Sequence, residues 1–147
     1  MDATGRDASE QGIRQLMDEW ASALRARDVE RLLSFYAPHA VFFDGVAPLQ
    51  VDPATYRKNW EGFFQWFPGP VRFETRGLKI TAGESVTFAS LLVHLSGTTT
   101  DGKEEGSRMR ETIGFEKTGG SWRITHEHWS LPMDMESGKA ATGLQPE

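Results

Sequence analysis

The sequence predicts an α+β domain with three N-terminal helices packed on one face of a curved, mainly antiparallel sheet. Before Val71, apolar side chains recur at the three- and four-residue spacing of amphipathic helices. After Val71 the apolar residues alternate with polar ones in four segments that turn-forming residues separate. Helices followed by a run of strands favour the order α-α-β-α-β-β-β-β.

Each helix has its own apolar stripe or cap. The second helix begins after Asp28, which can cap it, and Pro38 closes it after Phe35 and Tyr36; a short strand follows over residues 40–44. The third helix has Asp52 as its cap and Pro53 in its first turn. The stripe of the first helix is Ile13, Leu16, Met17, Trp20 and Leu24, and that of the third is Tyr56, Trp60, Phe63, Phe64 and Phe67.

The second of the four later strands has two unlike rows of side chains. One row is apolar and predicted to face the helices: Ala89, Leu91, Val93 and Leu95. The opposite row includes Phe88, Leu92 and His94, which is too apolar for a free surface. This row predicts a homodimer through the outer face of the sheet, and His94 is interpreted as a contact residue without a catalytic role.

Composition excludes several classes of function. The chain has 147 residues, enough for one domain, and is 38% hydrophobic with a formal net charge of −5. Without a basic block, a nucleic-acid or anionic-membrane partner is not expected. No apolar run reaches the roughly 18 residues of a membrane span, and the start lacks a signal-peptide pattern, so a cytoplasmic location is the default expectation. Residues 1–8 and 135–147 are polar and predicted to be flexible.

Ionisable residues on predicted inner rows mark the candidate site. In the fourth strand after Val71, His126 and His128 share a row with Trp122 and Ile124, so both imidazoles are expected to face inward. In the strand before it, Glu111 is the polar member of an otherwise apolar row. A two-residue Gly119-Gly120 turn would place Glu111 opposite His128, whereas a four-residue loop would place it opposite His126. Either register predicts a carboxylate against an imidazole.

Asp44 ends the first strand just before Gly45, where a carboxyl group can lie at the mouth of a pocket and transfer protons.

Each of these candidate residues also has a structural interpretation. The His–Glu pair can be a satisfied polar pair in a core, and Asp44 can cap a turn. The two histidines with a carboxylate could hold a metal ion, but no other metal-ligand spacing accompanies them, and we predict neither a metal nor a cofactor.

The chain resembles the SnoaL-like and steroid-isomerase-like branch of the nuclear-transport-factor-2-like superfamily. The resemblance covers about Ser9 to Asp134 and rests on the opening "DEWASALRARDVERLLSFYAPHAVFFDG" and the ending "GGSWRITHEHWSLPMD". It implies a cone: a bent sheet around the helices, with an apolar pocket at the open end. The domain prediction is therefore a cone domain over residues 9–134 between the two flexible ends.

The resemblance also implies roles for residues. The general base of the steroid isomerases falls on Asp44, their oxyanion-binding carboxylic acid near Glu111, and their tyrosine on Trp20. His126 and His128 are closer to the dehydratase members, where imidazoles position water or shuttle protons. The prediction is an isomerase or dehydratase that moves protons on a small apolar carbonyl or hydroxylated molecule; the alternative is a non-catalytic binding or association domain. The predicted pocket wall is Trp20, Tyr36, Phe42, Trp60, Phe63 and Phe64.

Overall fold

The computed structural model describes residues 1–146 and confirms the predicted α+β architecture and the order of its elements. The helices are α1 (Ala3–Arg25), α2 (Val29–Leu33) and α3 (Pro53–Trp66). The strands are β1 (Tyr36–Phe43), β2 (Val71–Thr81), β3 (Val86–Thr98), β4 (Glu104–Thr118) and β5 (Ser121–Ser130). They form one sheet in the order β1-β5-β4-β3-β2, in which β1 is parallel to β5 and the other neighbours are antiparallel.

The helices begin at capping carboxylates. Asp28 Oδ1 accepts from the Arg31 N–H at 3.0 Å, and Asp52 Oδ1 accepts from the Thr55 N–H at 2.7 Å, so both predicted caps are confirmed. At the start of α1, Asp2 fills the same role. This helix therefore begins at Ala3, inside the segment predicted to be flexible.

The boundary between α2 and β1 differs from the prediction. The second helix ends at Leu33, and Tyr36 already belongs to β1, where it pairs with Ile124 of β5. Pro38 disfavours helical backbone in the residue before it, and strand pairing takes over. As part of β1, Tyr36 packs against the core from the sheet and not from a helix.

The inner face of the sheet and the helices enclose an aromatic core. The predicted inner row of β3, residues 89, 91, 93 and 95, is buried throughout, whereas Phe88 and Leu92 on the other face are exposed. In the centre, the Trp20 ring lies 5.4 Å from Phe73 and 5.8 Å from Trp60, measured between ring centroids.

Arg27 fixes the end of α3. Its backbone has a φ of 59°, an uncommon value for a side-chain-bearing residue. Its guanidinium donates to the carbonyl oxygens of Phe64, Phe67 and Gly69 at 2.5 to 2.7 Å. These carbonyls belong to the last turn of the helix and the chain beyond it, so Arg27 satisfies groups that would otherwise lack donors.

A β-bulge in β5 decides which side chains enter the core. Near the turn, Glu116 pairs with Arg123, as the two-residue turn predicts. Farther along, Phe115 pairs with Ile124 but Gly114 pairs with His126, so Thr125 is an extra residue without a partner. The register then shifts by one, which exchanges the two faces of the strand.

The prediction that His126 and His128 face inward is therefore wrong. Glu127, at 1% exposure, and Trp129, at 5%, take the inner positions. Neither predicted pairing of Glu111 with a histidine occurs, because Glu111 pairs with Trp129.

Candidate functional site

Two glutamates are buried next to each other on the inner face of the sheet. Glu111 of β4 is 3% exposed, which confirms its predicted inward orientation. Glu127 of β5 pairs with Ile113, so the two glutamates are diagonal neighbours in the antiparallel ladder and their side chains can meet. We call them the carboxyl pair.

Tyrosines and tryptophans supply hydrogen bonds to one member of this pair. Glu127 Oε2 accepts from the hydroxyls of Tyr36 and Tyr56, the second at 2.9 Å. Trp20 Nε1 donates to the Tyr36 hydroxyl at 2.8 Å, and Trp129 Nε1 donates to the Tyr56 hydroxyl at 3.2 Å. The resulting chain of donors favours negative charge on Glu127.

Burial next to each other disfavours negative charge on both members of the carboxyl pair at once. Burial, and then the negative charge of Glu127, raise the pKa of Glu111 well above its ordinary value. Burial also raises the pKa of Glu127, while its hydrogen bonds oppose that rise. Among the described residues no hydrogen-bond donor reaches Glu111 Oε2 or Glu127 Oε1. A single proton between the two carboxyls, carried by Glu111, satisfies this arrangement.

Asp44 lies elsewhere, in the wall of an open pocket of about 800 Å³. Its Oδ1 accepts from the Gly45 N–H and its Oδ2 from the Asn59 side-chain amide, both at 2.7 Å. Trp60 lines the same pocket, and its buried indole N–H has no partner among residues 1–146. The rest of the wall is largely apolar, with Glu104 and Glu105 as further carboxyl groups, and includes Phe63, Phe67, Leu95, Met109, Trp129 and Leu131.

A smaller cavity of about 190 Å³ lies between α1 and the sheet. We call it the inner cavity. Glu111 and Glu127 line it together with Trp20, Phe73 and apolar side chains of α1. Neither cavity contains both Asp44 and Glu111. Tyr56 connects the two regions, because it lines the open pocket and donates its hydroxyl hydrogen to Glu127.

The predicted site residues therefore separate into three places. Asp44 is in the open pocket and Glu111 in the inner cavity. His126 and His128 lie on the outer face, where both rings pack edge-on against Phe43 at centroid distances of 4.9 and 5.3 Å. His126 Nδ1 donates to the Val41 carbonyl at 2.9 Å, which fixes that ring.

The predicted pocket wall separates in the same way. Trp60 and Phe63 line the open pocket, and Trp20 lines the inner cavity. Tyr36, Phe42 and Phe64 line neither cavity. Phe42 instead stacks on Tyr56 at a centroid distance of 4.0 Å, and Arg27 lies over the Phe64 ring. These three residues belong to the core.

Sequence reasoning missed Glu127, Asn59 and the hydroxyl of Tyr56. A signal for Glu127 was present. Ile124 and Trp129 are both large and apolar but of opposite parity, so a strand that buries both must contain a bulge between them. Nothing in the pattern indicates Asn59, since its contact with Asp44 depends on how α3 packs against the end of β1.

Residues 1–146 contain no group of three or more His, Cys, Asp or Glu side chains able to hold a metal ion. Nor is any described helix long and apolar enough to cross a membrane.

The family model of the SnoaL-like domain matches residues 13–134. The chain belongs to the SnoaL-like family. No curated protein matches this SnoaL-like chain. Among solved structures, it is similar to an NTF2-like protein of unknown function from Pseudomonas putida, with 35% identity and a TM-score of 0.85. That alignment covers 95% of this chain and 98% of the other.

Two more distant structures share the SnoaL-like fold. A candidate scytalone dehydratase from Novosphingobium aromaticivorans is 14% identical, with a TM-score of 0.81 and coverage of 99% of this chain and 100% of the other. The association domain of CaMKII from C. elegans is 16% identical, with a TM-score of 0.68 and coverage of 85% and 97%. At these identities the likeness concerns the fold alone.

Proposed function

We propose that the protein is an enzyme that transfers protons within the open pocket, as an isomerase or dehydratase of a small apolar carbonyl or hydroxylated molecule. The observation that supports it is the position of Asp44. Its carboxyl lies directly after β1 in a largely apolar wall that also includes Glu104 and Glu105, and two hydrogen bonds fix its orientation. A fixed carboxylate beside a bound apolar molecule is suited to general base catalysis.

Asp44 would take a proton from a carbon atom of the substrate, as a general base. Glu111 would act indirectly, by holding Glu127 and through it the hydroxyl of Tyr56. His126 and His128 have no part in this proposal because they lie on the other face of the sheet. The dehydratase assignment of a distant fold relative agrees with this class of chemistry.

The exchange of carbon-bound hydrogen tests the proposal without knowledge of the net reaction. A panel of cyclic ketones and enones is incubated with the protein in deuterated water, and NMR follows the loss of the proton beside the carbonyl. The Asp44→Asn variant keeps the size of the side chain and an acceptor for Asn59 but has no base. We expect exchange to slow by about 10²- to 10⁴-fold.

Glu84→Gln is the matched control, because Glu84 is an exposed carboxylate in the β2–β3 turn and should exchange like the wild type. Equal exchange by Asp44→Asn and wild type would exclude Asp44 as the base. Exchange no faster than in buffer for the entire panel would contradict the carbonyl substrate class.

A second candidate function is association through the outer face of the sheet, as a homodimer with or without catalysis. The observation that favours it is the exposure of Phe88 and Leu92, at 51% and 40%, on either side of Ser90 in one row of β3. An apolar row in the middle of a sheet face is typical of a protein interface. The association domain among the fold relatives is in line with this use of the fold.

A further inference from the structure

We propose that the inner cavity is a second binding site, which takes a small apolar amine in its protonated form. The site does not depend on Asp44 or on the reaction proposed above. Its volume is about 190 Å³, whereas a dry cavity of roughly 150 Å³ holds a benzene molecule. A single aliphatic ring with one head group therefore fits its size.

The carboxyl pair supplies a buried negative charge at this cavity. Glu111 and Glu127 both line it, and both are more than nine-tenths buried. One shared proton leaves the pair with a charge of −1, because two carboxyls and one proton cannot be neutral. Among the described residues no cationic side chain forms a salt bridge with either glutamate. The charge is held by dipoles alone, those of the tyrosine hydroxyls on Glu127.

Other charged groups around the pair are already engaged or lie at the rim. From α1, Arg14 binds Glu10 and Arg25 donates to the Phe73 carbonyl at 3.0 Å, while Asp18 adds a negative charge at the rim. Asp44 lines the open pocket and not this cavity. Arg14 and Arg25 line this cavity too, but neither forms a salt bridge with Glu111 or Glu127, so a monovalent cation inside the cavity would be the first positive charge in direct contact with the carboxyl pair.

The side chains that line the inner cavity favour the binding of an organic cation over that of a metal ion. Trp20 and Phe73 both line the cavity, so aromatic side chains are within reach of a cationic head group. Most of the remaining uncharged lining is aliphatic, from Leu16, Met17, Ala21, Leu78, Ile113 and Ile124, and Thr75 adds a hydroxyl group. An ammonium group has three N–H donors, enough to reach both carboxyls, and its hydrocarbon part would replace empty space against the aliphatic wall.

Cyclohexylamine and cyclohexanol are the probes, since they differ chiefly in the charge of the head group. Isothermal titration at neutral pH measures their affinity for the wild-type protein. We expect the amine to bind about 10- to 100-fold more tightly than the alcohol, the range for a hydrogen bond to a charged group. Acidification that adds a second proton to the carboxyl pair should abolish this preference.

Two variants distinguish the effect of the negative charge of the carboxyl pair on amine binding from the effect of its side-chain shape. Glu111→Gln keeps the charge on Glu127, and its amide N–H replaces the shared proton, so it should fold and keep the preference for the amine. The double variant Glu111→Gln/Glu127→Gln has no charge and should bind the amine no better than the alcohol. Thermal unfolding checks that both variants fold.

Equal binding of the two probes by the wild type, or absence of binding by both, would overturn the proposal. So would undiminished amine binding by the double variant, which would place the amine elsewhere. If the double variant does not fold, the acid dependence of amine binding by the wild type decides alone. None of these outcomes bears on the proton exchange assigned to Asp44, so the two proposals can fail separately.

Discussion

Glu111 is an ionisable residue that is almost completely removed from water. It is buried beside a second carboxyl, and its pKa in the folded protein is raised above the ordinary value of 4.5. The folded state therefore keeps a proton that the unfolded chain releases above about pH 4.5. The contribution of Glu111 to the free energy of unfolding is therefore complete below about pH 4.5. It is lost as the pH rises towards the pKa that Glu111 has in the folded protein.

The corresponding prediction concerns the pH dependence of unfolding. The wild type should lose about 1.4 kcal/mol of unfolding free energy per pH unit relative to Glu111→Gln, from about pH 5 up to the folded pKa. The reason is that glutamine cannot release a proton. Urea denaturation at a series of pH values measures both curves, and Glu84→Gln should follow the wild type. Parallel curves for wild type and Glu111→Gln would show that the carboxyl pair does not retain its proton.

The sequence permits part of the site to be predicted at this scale. Alternation identified Glu111 as an inward carboxyl because its neighbours Met109 and Ile113 are apolar. Asp44 was identified by its position at the end of a strand. Asn59 was not, because a polar residue on a helix carries no periodic signal that tells which strand end it will meet.

At the scale of the element, the bulge at Thr125 determines the chemistry of β5. A strand of regular alternation through Trp122 and Ile124 would have brought two imidazoles to the core. The extra residue brings Glu127 and Trp129 there instead. A one-residue register shift is enough to convert a predicted His–Glu site into a carboxyl pair.

Deletion of Thr125 tests this description. It joins Ile124 directly to His126, so the pairs Phe115–Ile124 and Gly114–His126 become consecutive and both faces of β5 keep their side chains. We expect a urea denaturation midpoint close to that of the wild type. Deletion of His128 is the matched control, because it turns Trp129 outward and should cost about 3–5 kcal/mol. If the Thr125 deletion is as harmful as the His128 deletion, the bulge does not set the faces.

For the whole molecule, element order and sheet faces could be predicted because they depend on periodicity averaged over many residues. The caps Asp28 and Asp52 were predicted from local chemistry alone. The start of β1 at Tyr36 was not, since its only support is pairing with a strand nearly ninety residues later. The division into two cavities was likewise out of reach, because it results from how Trp20, Tyr56 and Trp129 pack together.

Self-association is the prediction that belongs to the whole molecule. Phe88→Glu or Leu92→Glu places a charge on the exposed apolar row, and we expect each to convert a dimer into a monomer in sedimentation velocity experiments. Leu49→Glu is the control, because Leu49 is 96% exposed in a loop away from that row and should leave the dimer intact. A wild type that sediments as a monomer at all concentrations would remove this function from consideration.

The hydrogen bonds from Arg27 hold the end of α3 in place, and this limits which parts of the open pocket can change to accept different ligands. The same helix is tied to Asp44 through Asn59, so the aromatic wall of the open pocket is anchored at two points. The opposite wall includes Leu131 and Thr142, which belong to the end of the chain and join β4 through the bond from Arg108 N–H to the Thr142 carbonyl. We therefore expect natural selection for new substrates to alter the carboxyl-terminal segment first and to leave the aromatic helix unchanged.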